Sequence, residues 1–314
     1  MSASSLRVVV PGSTSNLGPG FDCLGLAVDR HLVLEWLPAG RGGVRVRGER
    51  PPEGFGDRLA GGLTDLGLPE DGTLEVDSTI PVGRGLGSSA ALAVGLHLLK
   101  ARISGFDASL EGTLQSVAEL EGHPDNAAPA LLGGLVAATR HDGRVSAIPL
   151  PVSERIGWAW AAPGVPAETQ AMRAALPGRV ERAAAVRNAA RLAHLIPALA
   201  AGDGDTIGWA MGDELHVPYR LPLIPGAEAA RAAALEAGAW ACTISGAGSG
   251  LIAASPRDRT ALVVRAMEDA FRRDDPSPEA ARAFELRPDL QGARWETDVS
   301  RPPDREGGPP IRRG

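Results

Sequence analysis

Between Pro81 and Ala91 the chain reads Pro81, Val82, Gly83, Arg84, Gly85, Leu86, Gly87, Ser88, Ser89, Ala90, Ala91, followed by an apolar run to Leu99. Alternating glycines, lacking a Cβ, let the backbone close around a ligand. The free N–H groups and positive dipole end of the helix that begins there suit an anion, and a phosphate fits best. Ser88 or Ser89 is placed to cap that helix. Mg²⁺ beside a phosphate takes one or two carboxylates, and Glu119 can supply one opposite the Ser89 hydroxyl. Glu119 and Glu121 read equally as a solvated helix end. Asn16 and Asp22 are ligand-reading groups in a turn-rich stretch, or they bond the nearby backbone. Arg173 offers a planar fork for a carboxylate, or it is an ordinary surface arginine.

The phosphate loop is not of the Walker type, which needs Gly-Lys-Ser/Thr. The one lysine is Lys100, after Leu99, which also rules out a protein-kinase set built on a strand lysine. The spacing G-x-G-x-G lies mid-chain and departs from the dinucleotide fingerprint G-x-G-x-x-G. The plain alternative is a tight turn packed by glycines.

The elements that must hold these residues follow from periodicity. Leu74, Val76 and Ile80 alternate ahead of the phosphate loop, giving strand, turn, buried helix. Leu6–Val10 reads as a buried strand and Pro11–Gly25 as a loop. Leu32, Leu34 and Trp36 mark one face of a strand; Val44–Arg47 is another; Leu59–Leu66 is a helix candidate. Leu110, Leu114, Val117 and Leu120 fall at helical spacing from Ser109 to Glu121. His123 has no second histidine at ligand spacing and reads as structural. Residues 134–139 and 145–149 form a hairpin across Asp142-Gly143. Pro149-Leu150-Pro151 is a domain break, giving domains 1–151 and 152–299 and a disordered tail 300–314. Ile156–Ala162 opens the second domain with a strand. Helices follow at Val180–Ala201, Ala227–Gly238 and Thr260–Arg273, and a strand–turn–strand lies at Ala241–Ile252.

The 314 residues allow two domains. Net charge is −6 and hydrophobic residues make up 44%, which excludes nucleic acid or an anionic membrane as the main partner. The arginine richness reads as compositional bias. Cys23 and Cys242 are too few and too far apart for a disulfide framework and read as reduced thiols of a cytoplasmic protein. No apolar run reaches the ~18 residues of a membrane span, and Met1–Leu6 has no leader pattern.

Pro81-x-x-x-Gly85-Leu86-Gly87-Ser88-Ser89-Ala90 resembles the second motif of the GHMP kinases. Asn16-Leu17-Gly18-Pro19-Gly20-Phe21-Asp22 is similar to the first motif of their homoserine kinase branch. Glu119-Leu120, His123-Pro124-Asp125-Asn126, Thr169-x-x-x-Arg173-x-x-Leu176-Pro177 and Asp213–Gly226 resemble further stretches of that branch. Residues 241–252 resemble the third superfamily motif. Departures fall at Gly12, Ser15, Glu168 and Val217, and no adenine contact is assigned because Arg58 stands where an asparagine is expected.

The resemblance implies an α+β fold. The N-terminal domain is like ribosomal protein S5 domain 2, and the C-terminal domain is a ferredoxin-like α/β sandwich. It implies phosphoryl transfer from ATP to the L-homoserine hydroxyl. Pro81 to Ala91 would bind ATP, with Arg84 as a phosphate contact. Ser89 and Glu119 would hold Mg²⁺. Asn16, Asp22, Asp125, Arg173 and Arg220 would bind substrate, and Asp125 and Asn126 would place its hydroxyl. Placement and charge neutralisation dominate such a transfer. A homodimer is admitted as the assembly. The alternatives are another GHMP small-molecule kinase, such as one acting on mevalonate, or a catalytically silent ligand-binding member of the fold.

Overall fold

The apolar run at Leu6–Val10 continues as strand well past the end of its hydrophobicity. In the computed structural model β1 (Leu6–Asn16) pairs antiparallel with β2 (Gly20–Leu37), and only residues 17–19 turn between them. The stretch expected as a loop from Pro11 to Gly25 is therefore mostly strand. The register shifts at Pro11/Gly12 and Ser15/Asn16. A Cβ on Gly12 would lie 2.9 Å from the Leu86 carbonyl oxygen, which accepts from the Ser13 N–H at 3.1 Å. Ser13, Thr14, Ser15 and Asn16 are buried despite their polarity. Such groups persist in a core only when hydrogen-bonded, and theirs are bonded to Asn126 and to Ser245 and Gly246.

The described residues are 5–38, 42–47, 59, 62–165, 169–274 and 281–296. Arg58, Glu168 and the tail 300–314 lie outside them. The remaining strands in chain order are β3 (Val44–Arg47), β4 (Thr73–Ser78), β5 (Leu135–His141), β6 (Arg144–Leu150), β7 (Ile156–Ala162), β8 (Ala241–Ile244), β9 (Leu251–Pro256), β10 (Arg282–Leu286) and β11 (Arg294–Glu296). The first sheet has seven strands in the order β11-β1-β2-β4-β3, with β5 on the near end of β2 and β6 beyond it. The hairpin across Asp142-Gly143 is present as β5 and β6. The second sheet is antiparallel, β10-β7-β9-β8. The fold is α+β, as expected.

Of the helix candidate at Leu59–Leu66, α1 (Gly62–Asp65) and a helical Leu59 are described. Helix α2 (Ser88–Ile103) packs on β1 and β2 and is apolar on nearly every side. Gly95 allows the close approach: a Cβ there would be 2.8 Å from Leu34 Cδ1. Leu32, Leu34 and Trp36 are buried beneath it. Helix α3 (Leu110–Glu121) is capped by Ser109, whose Oγ accepts from Gly112 N at 3.0 Å; α4 (Ala127–Leu132) follows. After β7 come α5 (Thr169–Ala174), α6 (Arg182–Ala201), α7 (Gly204–Ala210), α8 (Val217–Arg220) and α9 (Ala227–Glu236), with α10 (Thr260–Asp274) between β9 and β10. Helices α9 and α10 pack together over the second sheet.

Two features tie the sheets. Trp160 of β7 stacks on Phe284 of β10 at 4.6 Å, and Arg30 of β2 lies over Phe284 at 4.2 Å. Strand β11, which sequence patterning does not foretell, pairs with β1 at Arg7–Val9. The segment before it is anchored by Asp289, bonded to His31 at 2.7 Å and to Arg294 at 3.1 Å.

Candidate active site

The three alternating glycines all adopt positive φ, 68°, 77° and 65° at Gly83, Gly85 and Gly87. This left-handed backbone is open to glycine at little cost. Gly85 is fixed further by contact, since a Cβ would lie 1.9 Å from the Ser245 carbonyl oxygen. Helix α2 thus starts at an N-cap glycine, and neither expected serine caps it. The Ser88 Oγ is buried without a protein partner among the described residues. The Ser89 Oγ donates instead to Glu121 Oε1 at 2.8 Å.

The expected pairing of Ser89 with Glu119 is not the one the fold makes. Glu119 is exposed and accepts from Gln115 at 2.6 Å. Residues two apart lie on opposite sides of a helix, so only Glu121 faces the start of α2. The Ser89 hydroxyl and Glu121 carboxylate offer two hard oxygens beside the open N–H groups of α2, a donor set that suits Mg²⁺. Together with the orphaned Ser88 hydroxyl they fit a metal-bound phosphate. Arg84 is turned toward the second sheet, and its Nη2 donates to the Gly164 carbonyl.

The third Gly-rich turn, between β8 and β9, docks on this loop. Ser245 Oγ donates to Gly85 O at 2.7 Å and meets Thr14 Oγ1 at 2.9 Å. Asn16 Nδ2 donates to Gly246 O at 2.7 Å, while Asn16 Oδ1 accepts from Asp22 N at 2.9 Å. The Asn16 amide thus joins the turn to the Asp22 backbone. Asn16 (φ 72°), Leu17 (φ 45°) and Asp22 (φ 55°) take left-handed backbone without being glycine, the kind of strain that concentrates at functional sites.

Asp125 and Asn126 stand directly beside the phosphate loop. Asn126 Oδ1 accepts from Ser13 Oγ at 3.0 Å, and its Nδ2 donates to Ser15 Oγ at 2.9 Å. The same Oδ1 would be 3.0 Å from a Cβ on Gly87. Gly25 makes room for the loop, because a Cβ there would be 1.9 Å from Asp125 O. Asp125 is buried and pairs with His123 Nδ1 at 2.7 Å. Polar atoms of Asp22, His123 and Asp125 lie within 4.8 Å of one another. Arg173 Nη2 meets His123 Nε2, so a protein cation already occupies the edge of this acidic group. The hydrogen bond to Asp125 raises the His123 pKa, with burial opposing. Desolvation raises Asp22 above the usual carboxylate range and Asp125 adds to it, while His123, Arg220 and Arg173 pull it back.

Arg220, at the end of α8, is 3% exposed. Its Nε donates to Met172 O at 3.0 Å and its guanidinium lies over Phe21 at 5.2 Å. Burial lowers its pKa from the ordinary value, yet a guanidinium stays protonated. One pocket therefore holds two carboxylates, two arginines and a histidine, a few ångströms from a phosphate-type helix start. Such a set can take a small zwitterion and bring one of its groups to a phosphate. Sequence reasoning missed His123 and Glu121 as members. Their signal was position alone: Glu121 closes α3, and His123 is two residues from Asp125.

The family model for the GHMP kinases N terminal domain matches residues 58–134, and that for the GHMP kinases C terminal matches residues 195–273. A homoserine kinase of Moorella thermoacetica is 41% identical over 274 residues, covering 85% of this chain and 92% of its own. The chain belongs to the homoserine kinase family. A homoserine kinase of Synechococcus sp. (strain RCC307) is 37% identical over 95% of this chain and 98% of its own length. Among solved structures, the homoserine kinase of Cytophaga hutchinsonii superposes with a TM-score of 0.76 at 28% identity, over 94% of this chain and 98% of that one. The L. major mevalonate kinase, at 16% identity, TM-score 0.65, and 91% and 97% coverage, shares the fold. In this chain the Asn16–Asp22 and His123–Asn126 stretches come together at Asp22, His123 and Asp125. Among the described residues no helix is long and apolar enough to cross a membrane.

Proposed function

We infer that this protein transfers the γ-phosphoryl group of ATP to the side-chain hydroxyl of L-homoserine. The observation that carries the reading is the position of the His123–Asn126 loop. It touches Gly87 of the phosphate loop on one side and Arg173 on the other, so a zwitterion held by the arginines presents its far end to the phosphate.

In this reading the turn at Gly83–Ser88 and the first N–H groups of α2 receive the ATP phosphates, with the buried Ser88 hydroxyl as a further donor. Ser89 and Glu121 would hold Mg²⁺, which when bound would neutralise phosphate charge. Glu121 replaces Glu119 here because it is the carboxylate bonded to Ser89. Arg173 and Arg220 receive the α-carboxylate; the two Nη groups of Arg220 remain for it once Nε is bonded to Met172. Asp22 receives the α-ammonium, braced by Asn16. Asp125, oriented by His123 and next to Asn126, accepts a hydrogen bond from the substrate hydroxyl and aims its oxygen. A loose transition state asks for placement and charge neutralisation more than for a strong base, so Asp125 positions rather than deprotonates. We divide the chain at 151/152, on the link between the two sheets. The free thiols of Cys23 and Cys242 support a cytoplasmic location.

ADP release with Mg²⁺-ATP, measured across L-homoserine, L-threonine, L-serine, mevalonate and galactose, tests the reading. Turnover preferring L-homoserine is expected. Preference for mevalonate or galactose would discard the substrate pocket while leaving the phosphate site.

A further inference from the structure

His216 immediately precedes α8 and stands four residues before Arg220, so both side chains project from one face of that turn. The imidazole is wholly buried. Its Nε2 lies 3.1 Å from the Gly18 carbonyl oxygen. A carbonyl only accepts, so Nε2 carries a hydrogen, while Nδ1 meets no partner among the described residues. A residue that merely filled this space would bring no such orphaned nitrogen, whose burial is costly. The ring also stacks on Phe21, with centroids 5.0 Å apart and planes at 22°. That same Phe21 ring lies under Arg220.

Both anchors of this arrangement are themselves held. Asp213 Oδ2 accepts from the N–H groups of Leu215, His216 and Val217 at 3.1, 2.7 and 2.7 Å, fixing the backbone that bears His216 and Arg220. On the other side, Asn188 Nδ2 donates to Pro19 O at 3.0 Å and Asn188 Oδ1 accepts from Glu214 N at 3.2 Å. Gly18 is pressed so closely that a Cβ would be 2.1 Å from Met211 O. The turn between Asn16 and Asp22 is thus clamped onto residues 211–216, directly at the Gly18 carbonyl and through Asn188 at the Pro19 carbonyl.

We propose that His216 is a positioning residue that sets the separation between Asp22 and Arg220, through its bond to Gly18 and its shared contact with Phe21, and so selects substrates whose ammonium and carboxylate stand on one carbon. The inference rests on the reading of Asp22 and Arg220 as the two ends of an amino-acid site. The ends of an α-amino acid have no slack between them, so their receptors must be held to within about 0.5 Å.

The test compares wild type, His216→Phe, which keeps a ring but loses the donor, and His216→Gln, which keeps an N–H donor without the ring. Substrates are L-homoserine and 3-aminopropan-1-ol, which has the same ammonium and hydroxyl and lacks the carboxylate. For His216→Phe the KM for L-homoserine rises about tenfold, the factor that about 1.4 kcal/mol represents. Preference over the amino alcohol shrinks by a similar factor, while the KM for ATP stays within about twofold. His216→Gln recovers part of the preference. A folded His216→Phe with unchanged preference overturns the proposal, since a purely structural role lowers melting temperature and active fraction without moving that ratio. If His216→Phe does not fold, Phe21→Leu carries the same expectation and the same refutation. Wild type that turns over neither substrate would defeat the functional reading itself, and this inference with it.

Discussion

Replacing Arg220 by lysine keeps the charge and removes the fork. The guanidinium is buried and its Nε is bonded to Met172 O at 3.0 Å. A lysine ammonium cannot both satisfy that carbonyl and present two parallel N–H groups to a carboxylate. An orphaned buried carbonyl costs about 1–3 kcal/mol. At roughly 2–4 °C per kcal/mol, the melting temperature falls by about 2–12 °C. Losing one of two charge-assisted hydrogen bonds, each worth about 1.5–3 kcal/mol, raises the KM for L-homoserine roughly 10- to 100-fold. The carboxylate is remote from the transferring phosphoryl group and is held equally in ground and transition states, so kcat stays within about threefold. The assay is steady-state ADP release with homoserine varied at saturating ATP, then ATP varied at saturating homoserine, alongside a thermal melt. A folded Arg220→Lys with a homoserine KM within about twofold of wild type, or a KM for ATP rising in step, refutes the reasoning.

Glu121→Gln lowers kcat by at least about a hundredfold, a loss typical of removing a preorganised electrostatic group, whereas Glu119→Gln stays within about twofold; the same ADP assay decides, and the reverse ranking restores Glu119 as the metal ligand. Gly85→Ala forces a Cβ against Ser245 O at 1.9 Å on a left-handed backbone and costs upwards of about 3 kcal/mol with loss of turnover. Gly143→Ala, equally left-handed but facing open space, costs only about 1 kcal/mol; urea titrations of the two separate contact from conformation. The His123 pKa is raised in the folded protein by its bond to Asp125, so the pair's contribution is fully present below the ordinary histidine value and is lost as pH rises through the folded one. A wild-type melting temperature that falls, relative to His123→Gln, as pH rises above the ordinary histidine value of about 6.5 checks that sign; parallel curves would remove the ion pair from the account.

Patterns that depend on local spacing were legible. The glycine run, the apolar helix behind it and the hairpin at Asp142-Gly143 could be read from types and intervals, whereas Arg173 and Arg220 stood out only through the family resemblance. What was hidden depended on which faces meet. Glu119 and Glu121 are equal in a linear sequence, and only the packing of α3 on α2 decides between them. Ser13 to Asn16 look like a loop because polarity usually means solvent, but here each hydroxyl is bonded across to residues far along the chain. His216 and Phe21 gained their places from a stack and a carbonyl nearly two hundred residues apart in sequence, and His123 from Arg173, fifty residues on. Strand β11 has three residues and no periodicity to read.

That last strand has a consequence for how the molecule is made. The second sheet closes with β10 at Leu286, but the first sheet is complete only when Arg294–Glu296 has paired with β1 at the opposite end of the chain. During synthesis the edge of β1 is left uncovered until Arg294–Glu296 has emerged, and an uncovered edge is a template for wrong partners. The phosphate loop, whose Leu86 carbonyl is held by the far half of that same strand, is therefore assembled on a strand whose outer neighbour arrives last.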